Sequence, residues 1–164
     1  MPTRSTRAHL RAFQKMHGGA PPPGLVADIE YLENRDLDLS VRLGALLAFN
    51  ALLITVGTHP VSASPAAPLS LDAATQPWQT AASLIGILPF VVAAALVLRA
   101  LLIGEEFDAD IEAAPDILLR RLLAAFIRSI DAQALLLRRA VQATIAGGAA
   151  TVAVWAWILA GKMG

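Results

Sequence analysis

Arg120, Arg121 and Arg128 stand in PDILLRRLLAAFIRSIDAQALLLRR, the stretch from Pro115 to Arg139. A guanidinium offers a fork of donors that matches a phosphate or carboxylate, so an anionic ligand such as a nucleotide phosphate is one chemistry open to them. The other is topological: arginines beside an apolar run hold a helix end on the cytoplasmic side of a membrane. Arg128 also has Asp131 three residues on as an ion-pair partner. Just ahead lie Glu105, Glu106, Asp108, Asp110, Glu112 and Asp116. They read either as a divalent-ion site or as helix initiation, with carboxylates near a positive helix end and Pro115 in its first turn. An EF-hand is excluded, because the loop glycine and terminal glutamate are missing.

Other chemistry is absent from the pattern. The chain has no cysteine, so disulfides and thiolate ligands are excluded, and His9, His17 and His59 lack partners at metal-ligand spacing. There is no Gly-rich phosphate loop, no Ser–His–Asp arrangement and no HExxH, and no nucleophile has a base beside it. The sequence therefore assigns no catalytic residue, no metal ligand and no cofactor; the expectation is a protein that is not an enzyme and has no nucleic-acid partner.

The elements that carry these residues belong to a membrane protein. Within 164 residues the hydrophobic fraction is 56% and the mean hydropathy +0.59, outside the range of soluble domains. Net charge is zero, but the thirteen Lys and Arg are segregated: all but Lys162 fall in Arg4–Arg42 or Arg99–Arg139. Residues 1–24 form a basic N-terminal tail closed by the breaker GGAPPPG, not a secretory signal. From residue 25 the pattern is helical, with Leu25, Ile29, Leu32 and Leu39 on one face, and no breaker precedes the first apolar run.

Spans are expected at about 39–58, 81–103 and 141–160, each near the 30 Å of a hydrocarbon core. Between the first two, residues 59–80 hold four prolines and one charge, Asp72, and read as an irregular external loop. Its lack of Lys and Arg, against the arginine-rich flanks opposite, puts the N-terminus in the cytoplasm and the C-terminus in the periplasm. The cytoplasmic helix 115–140 then runs into the third span. With that span it is about 70 Å long, so its first part projects or lies flat, and packing against residues 25–38 is the simplest burial of its apolar face.

Several residues inside the spans have structural meaning. Asn50 lies mid-membrane and needs a hydrogen-bond partner, through helix packing or by lining a polar path. Gly44 and Ala48 in the first span, and Ala143, Gly147 and Thr151 in the third, are small residues at four-residue spacing that let helices approach closely. Pro89 strips a backbone hydrogen bond within the second span and predicts a kink. Trp78, Trp155 and Trp157 would anchor the outer interface.

Three features form a pattern: ENRDLDLSVRLGALLAFNALLI leading into the first span, the proline-rich external loop, and an amphipathic helix followed by RRAVQATIAGG. Across residues 25–160 this layout resembles the small transmembrane effectors of bacterial cyclic-pyrimidine (Pycsar) antiphage defence. Asp38 and Asn50 would match an acid before the first span and an asparagine within it; where that family has a lysine, this chain has Ser40 and Arg42 nearby. The resemblance implies an effector that senses a cyclic nucleotide in the cytoplasm and impairs the inner membrane by oligomerising.

The fold class expected is an all-α membrane protein, three transmembrane helices with long cytoplasmic extensions packed as a bundle. Its partners would be the lipid bilayer, further copies of the chain, and a cytoplasmic nucleotide or protein. Two functions are consistent with this: a self-associating, membrane-impairing effector, or a non-catalytic adaptor that docks a partner on its cytoplasmic helices.

Overall fold

The computed structural model describes residues 23–64, 67–103 and 115–163. The basic tail up to residue 22 and the acidic cluster Glu105–Glu112 lie outside these residues, as does the side chain of Asp116. Among the described residues the chain is all-helical, with no strand. Its helices are α1 (Pro23–Gly57), α2 (His59–Ser62), α3 (Pro77–Gly86), α4 (Leu88–Leu102) and α5 (Pro115–Met163).

Local chemistry accounts for where each helix starts and stops. Proline occupies the first turn of α2 and α3, where its missing N–H is not needed. The segment that the prolines mark as loop thus contains a helical turn at His59–Ser62 and the start of the next helix at Pro77. Pro89 cannot continue the hydrogen-bond ladder, and α3 gives way to α4 at Ile87, whose carbonyl accepts from the backbone of both Phe90 and Val91. Nothing in Pro115–Met163 breaks a helix, so α5 runs for 49 residues, about 70 Å.

Three stretches are long and apolar enough to cross a membrane: Ala27–Gly57, Pro77–Leu102 and Leu123–Met163. That is the composition of a multi-pass membrane protein.

The chain divides into two compact units. The first takes the chain up to Leu43 together with Leu98–Leu137. Its core is Leu39 of α1 against Phe126 and Ile130 of α5, with Leu32, Ala134 and Leu137 packed around them. Each such buried side chain contributes about 1.5–3 kcal/mol. Asp28, Glu30, Arg35, Asp38, Arg128 and Asp131 stand on the outside.

The second unit comprises Gly44–Val97 and Arg138–Gly164. Here Phe90, Val97 and Ile158 are buried together with the small or polar Asn50, Ser83, Ala93, Ala140 and Thr144, while Phe49, Leu52, Ile85, Val92, Ile145 and Val152 are exposed. Such a surface is costly in water and costs nothing in lipid, where small residues inside let backbones come close. Along the seam of α3 and α4 with α5, Gln79 lies beside Gly161, Gly86 beside Val154 and Phe90 beside Gly147, so the two run antiparallel.

Candidate functional site: polar groups inside the spanning helices

The apolar run of α1 is interrupted at Asn50, which is wholly buried in the second unit. Its Nδ2 donates to the Leu46 carbonyl at 2.9 Å, one turn back. Its Oδ1 accepts from the Thr144 hydroxyl at 3.0 Å, an interhelical bond to α5, and the same hydroxyl is 2.9 Å from the Ala140 carbonyl. A side chain that neither titrates nor ionises has thereby both ends of its amide engaged. The pair holds two helices in register and offers no reactive group.

One turn along α5 from Thr144 is Gly147. A methyl built there would lie 2.7 Å from Cε1 of Phe90, so only glycine admits the ring at this level. Beyond it on the same side of α5 come Thr151 and Trp155. The Thr151 hydroxyl and Trp155 Nε1 are buried without a hydrogen-bond partner, and so is Gln79 Oε1 on α3. An unsatisfied polar atom in an apolar surround costs on the order of 1–3 kcal/mol. Gln133 Oε1 is in the same position in the first unit.

The end of α5 closes on the loop before α3. Lys162 Nζ donates to the Ser70 carbonyl at 2.7 Å, with Ser70 Oγ at 3.3 Å and the Ala67 carbonyl at 3.4 Å. Asp72 organises the same loop, accepting from the Ala74 amide at 3.0 Å and from the Thr75 hydroxyl at 3.1 Å. Between them lies an open recess of about 470 Å³, lined in part by Asp72, Gln76, Thr80 and Lys162.

The remaining residues singled out by sequence are placed as follows. Gly44 and Ala48 face outward, and nothing lies within 4 Å of where a Gly44 side chain would be. Gly147 is buried, and Ala143 and Thr151 are half-buried. Arg120, Arg121 and Arg128 are exposed on α5 in the first unit, and Arg128 forms no ion pair with Asp131. Arg42 pairs with Asp38, one turn apart on α1, at 3.0 Å. Trp78 and Trp157 are exposed, whereas Trp155 turns its ring nitrogen inward. Among the described residues no cluster of His, Asp and Glu could hold a metal ion.

Sequence reasoning missed Thr144, the bond from Lys162 to Ser70 and the contact of Phe90 with Gly147. Thr144 carried a signal, being polar and three residues before a glycine in an apolar run; the other two join residues far apart in sequence. The chain matches no family model, no curated protein and no solved structure.

Proposed function

We propose that the protein is a self-associating, non-catalytic protein of a bacterial inner membrane. In this reading the second unit is embedded, the helices pack as a bundle, the N-terminus is cytoplasmic and the C-terminus periplasmic. The arginine distribution supports that orientation, since Lys162 is the lone cation near the opposite end. The first unit, with its exposed arginines Arg120, Arg121 and Arg128, takes a cytoplasmic input, and the assembled spans impair the membrane. That the input is a cyclic nucleotide rests on the resemblance to cyclic-pyrimidine antiphage effectors.

The observation that carries self-association is on α5. Ala146, Ala149, Ala153, Ala156 and Ala160 are all exposed and recur every three or four residues, a smooth stripe on which a second helix can seat closely in lipid. Purification in detergent with a mass measurement tests it. The expected mass is a multiple of 17.2 kDa, and Ala153→Leu shifts it toward the monomer; a monomeric wild-type protein overturns the reading.

The second reading, an adaptor, is favoured by Tyr31, Leu37 and Val41, large apolar side chains exposed on α1 in the first unit. Induced expression separates the two. An effector collapses the membrane potential once its signal is supplied, and an adaptor leaves it intact.

A further inference from the structure

The second unit gathers its helix ends around one opening. Gly161, near the end of α5, lies beside Gln79 at the start of α3, and Lys162 is bonded to Ser70. Beyond the end of α1 at Gly57, the Leu71 amide donates to the Pro60 carbonyl of α2 at 2.8 Å and ties the loop down. The recess of about 470 Å³ at these ends has the size of a small-molecule site. Its lining includes an ammonium, Lys162, and a carboxylate, Asp72, together with Gln76 and the apolar Val61 and Leu71. The two charges do not pair. Among the described residues Lys162 Nζ contacts neutral oxygens, those of Ser70 and Ala67, and the Asp72 carboxylate accepts from the Ala74 amide and the Thr75 hydroxyl and from no cation. The Gln76 side chain makes no hydrogen bond to a described residue.

A wall that holds both signs apart gains little from a simple ion, which one charge attracts and the other repels. It suits a molecule that carries both signs itself. We propose that the recess binds a zwitterion whose ammonium donates to Asp72 and whose phosphate or carboxylate accepts from Lys162. Lys162 gives up its longer contacts, 3.3 Å to Ser70 Oγ and 3.4 Å to the Ala67 carbonyl, and keeps the 2.7 Å bond that holds the loop. The ammonium has to bear hydrogens, because an ionised carboxylate only accepts. Two sources supply this chemistry: the headgroup of phosphatidylethanolamine, or a small soluble zwitterion such as an amino acid. For the first, the recess lies where the apolar stretches Ala27–Gly57, Pro77–Leu102 and Leu123–Met163 each begin or end, the level of the headgroups in a membrane. The exposed Trp78, between Gln76 and Thr80 in the chain, suits that layer. The lipid source rests on the membrane placement of the second unit; the site is independent of self-association and of any cytoplasmic input.

The test titrates the full-length protein in detergent with phosphatidylethanolamine, phosphatidylcholine and phosphatidylglycerol, and reads bound lipid by native mass spectrometry. Phosphatidylethanolamine should bind about tenfold more tightly than the other two, since choline has no hydrogen to donate and the glycerol headgroup has no cation. Asp72→Asn keeps an oxygen for the Ala74 amide, so the loop survives, and brings phosphatidylethanolamine down to the level of phosphatidylcholine. Lys162→Gln weakens both lipids together and leaves the difference between them. Glycerophosphoethanolamine, the headgroup without acyl chains, separates the sources when added in excess: displacement of the lipid assigns the recess to soluble zwitterions, and retention assigns it to the membrane. Equal binding of the three lipids overturns the proposal. So does an Asp72→Asn protein that still prefers phosphatidylethanolamine to phosphatidylcholine. Flotation with liposomes reads the membrane placement separately, and a protein that stays at the bottom of the gradient overturns that placement whichever zwitterion binds.

Discussion

The two units differ in what they bury along the helices that they share. On α5 the side chains Phe126 and Ile130 are buried and Arg128 and Asp131 exposed; further along the same helix Thr144 and Gly147 are buried and Ile145 and Val152 exposed. On α1, Leu39 faces in and Asp38 out, and then Asn50 faces in and Phe49 and Leu52 out. If the second unit is embedded as proposed, one helix thus passes from water to lipid without changing its backbone. In the first unit stability comes from taking apolar area out of water. In the second, placed in lipid as proposed, that driving force is absent, and close approach and hydrogen bonds take its place.

The largest expected effect follows from the water-type core. Phe126→Ala in the first unit removes a ring that packs on Leu39 and Ile130, at a cost of about 3–5 kcal/mol. Limited proteolysis of the detergent-solubilised protein should then cut between Pro115 and Leu137 while the second unit resists. Equal loss of protection in both units breaks the comparison.

The next test puts the same charge on the outside of each unit. In the proposed placement the exposed Val152 faces hydrocarbon, so Val152→Arg costs roughly 2.5–3.5 kcal/mol, enough to reduce membrane insertion as read by carbonate extraction. Arginine at the exposed Ile127, next to Arg128, stays within about 0.5 kcal/mol of wild type. If the two substitutions behave alike, the outer surfaces of the two units meet the same solvent and the contrast between them has no meaning.

How much of this was legible in the sequence differs between the units for the same physical reason. An amphipathic stripe names much of its inner face: Ile29, Leu39, Phe126 and Ile130, apolar at helical spacing, are buried, but so are Gln133 and Leu136, where the stripe points to Ala134 and Leu137. Ile127, the apolar neighbour of Phe126, is exposed. In the second unit nearly every residue is apolar or small, so periodicity carries little contrast. Gly44, Ala48 and Gly147 look equivalent by type, yet the first two face outward and the third holds Phe90. Helix ends were readable where proline or its absence decides them, as at Ile87 and along α5. The turn at His59–Ser62 was hidden, because a proline in a first turn and a proline in a loop share one letter.

The smallest effect is the most diagnostic of how the second unit is held. Thr144→Val leaves Asn50 Oδ1 buried without its donor, a loss on the order of 1–3 kcal/mol. Asn50→Leu removes the demanding group itself, and the Thr144 hydroxyl keeps the Ala140 carbonyl, so this change costs less. The double substitution should therefore sit close to Asn50→Leu alone, with a coupling energy of about 0.6–2 kcal/mol in reversible unfolding from mixed micelles. Additive losses would mean that the amide and the hydroxyl stabilise the helices separately, through packing and not through the bond between them. The second unit would then owe its register to shape alone, as at Gly147 and Phe90, and a polar interior would be incidental to it.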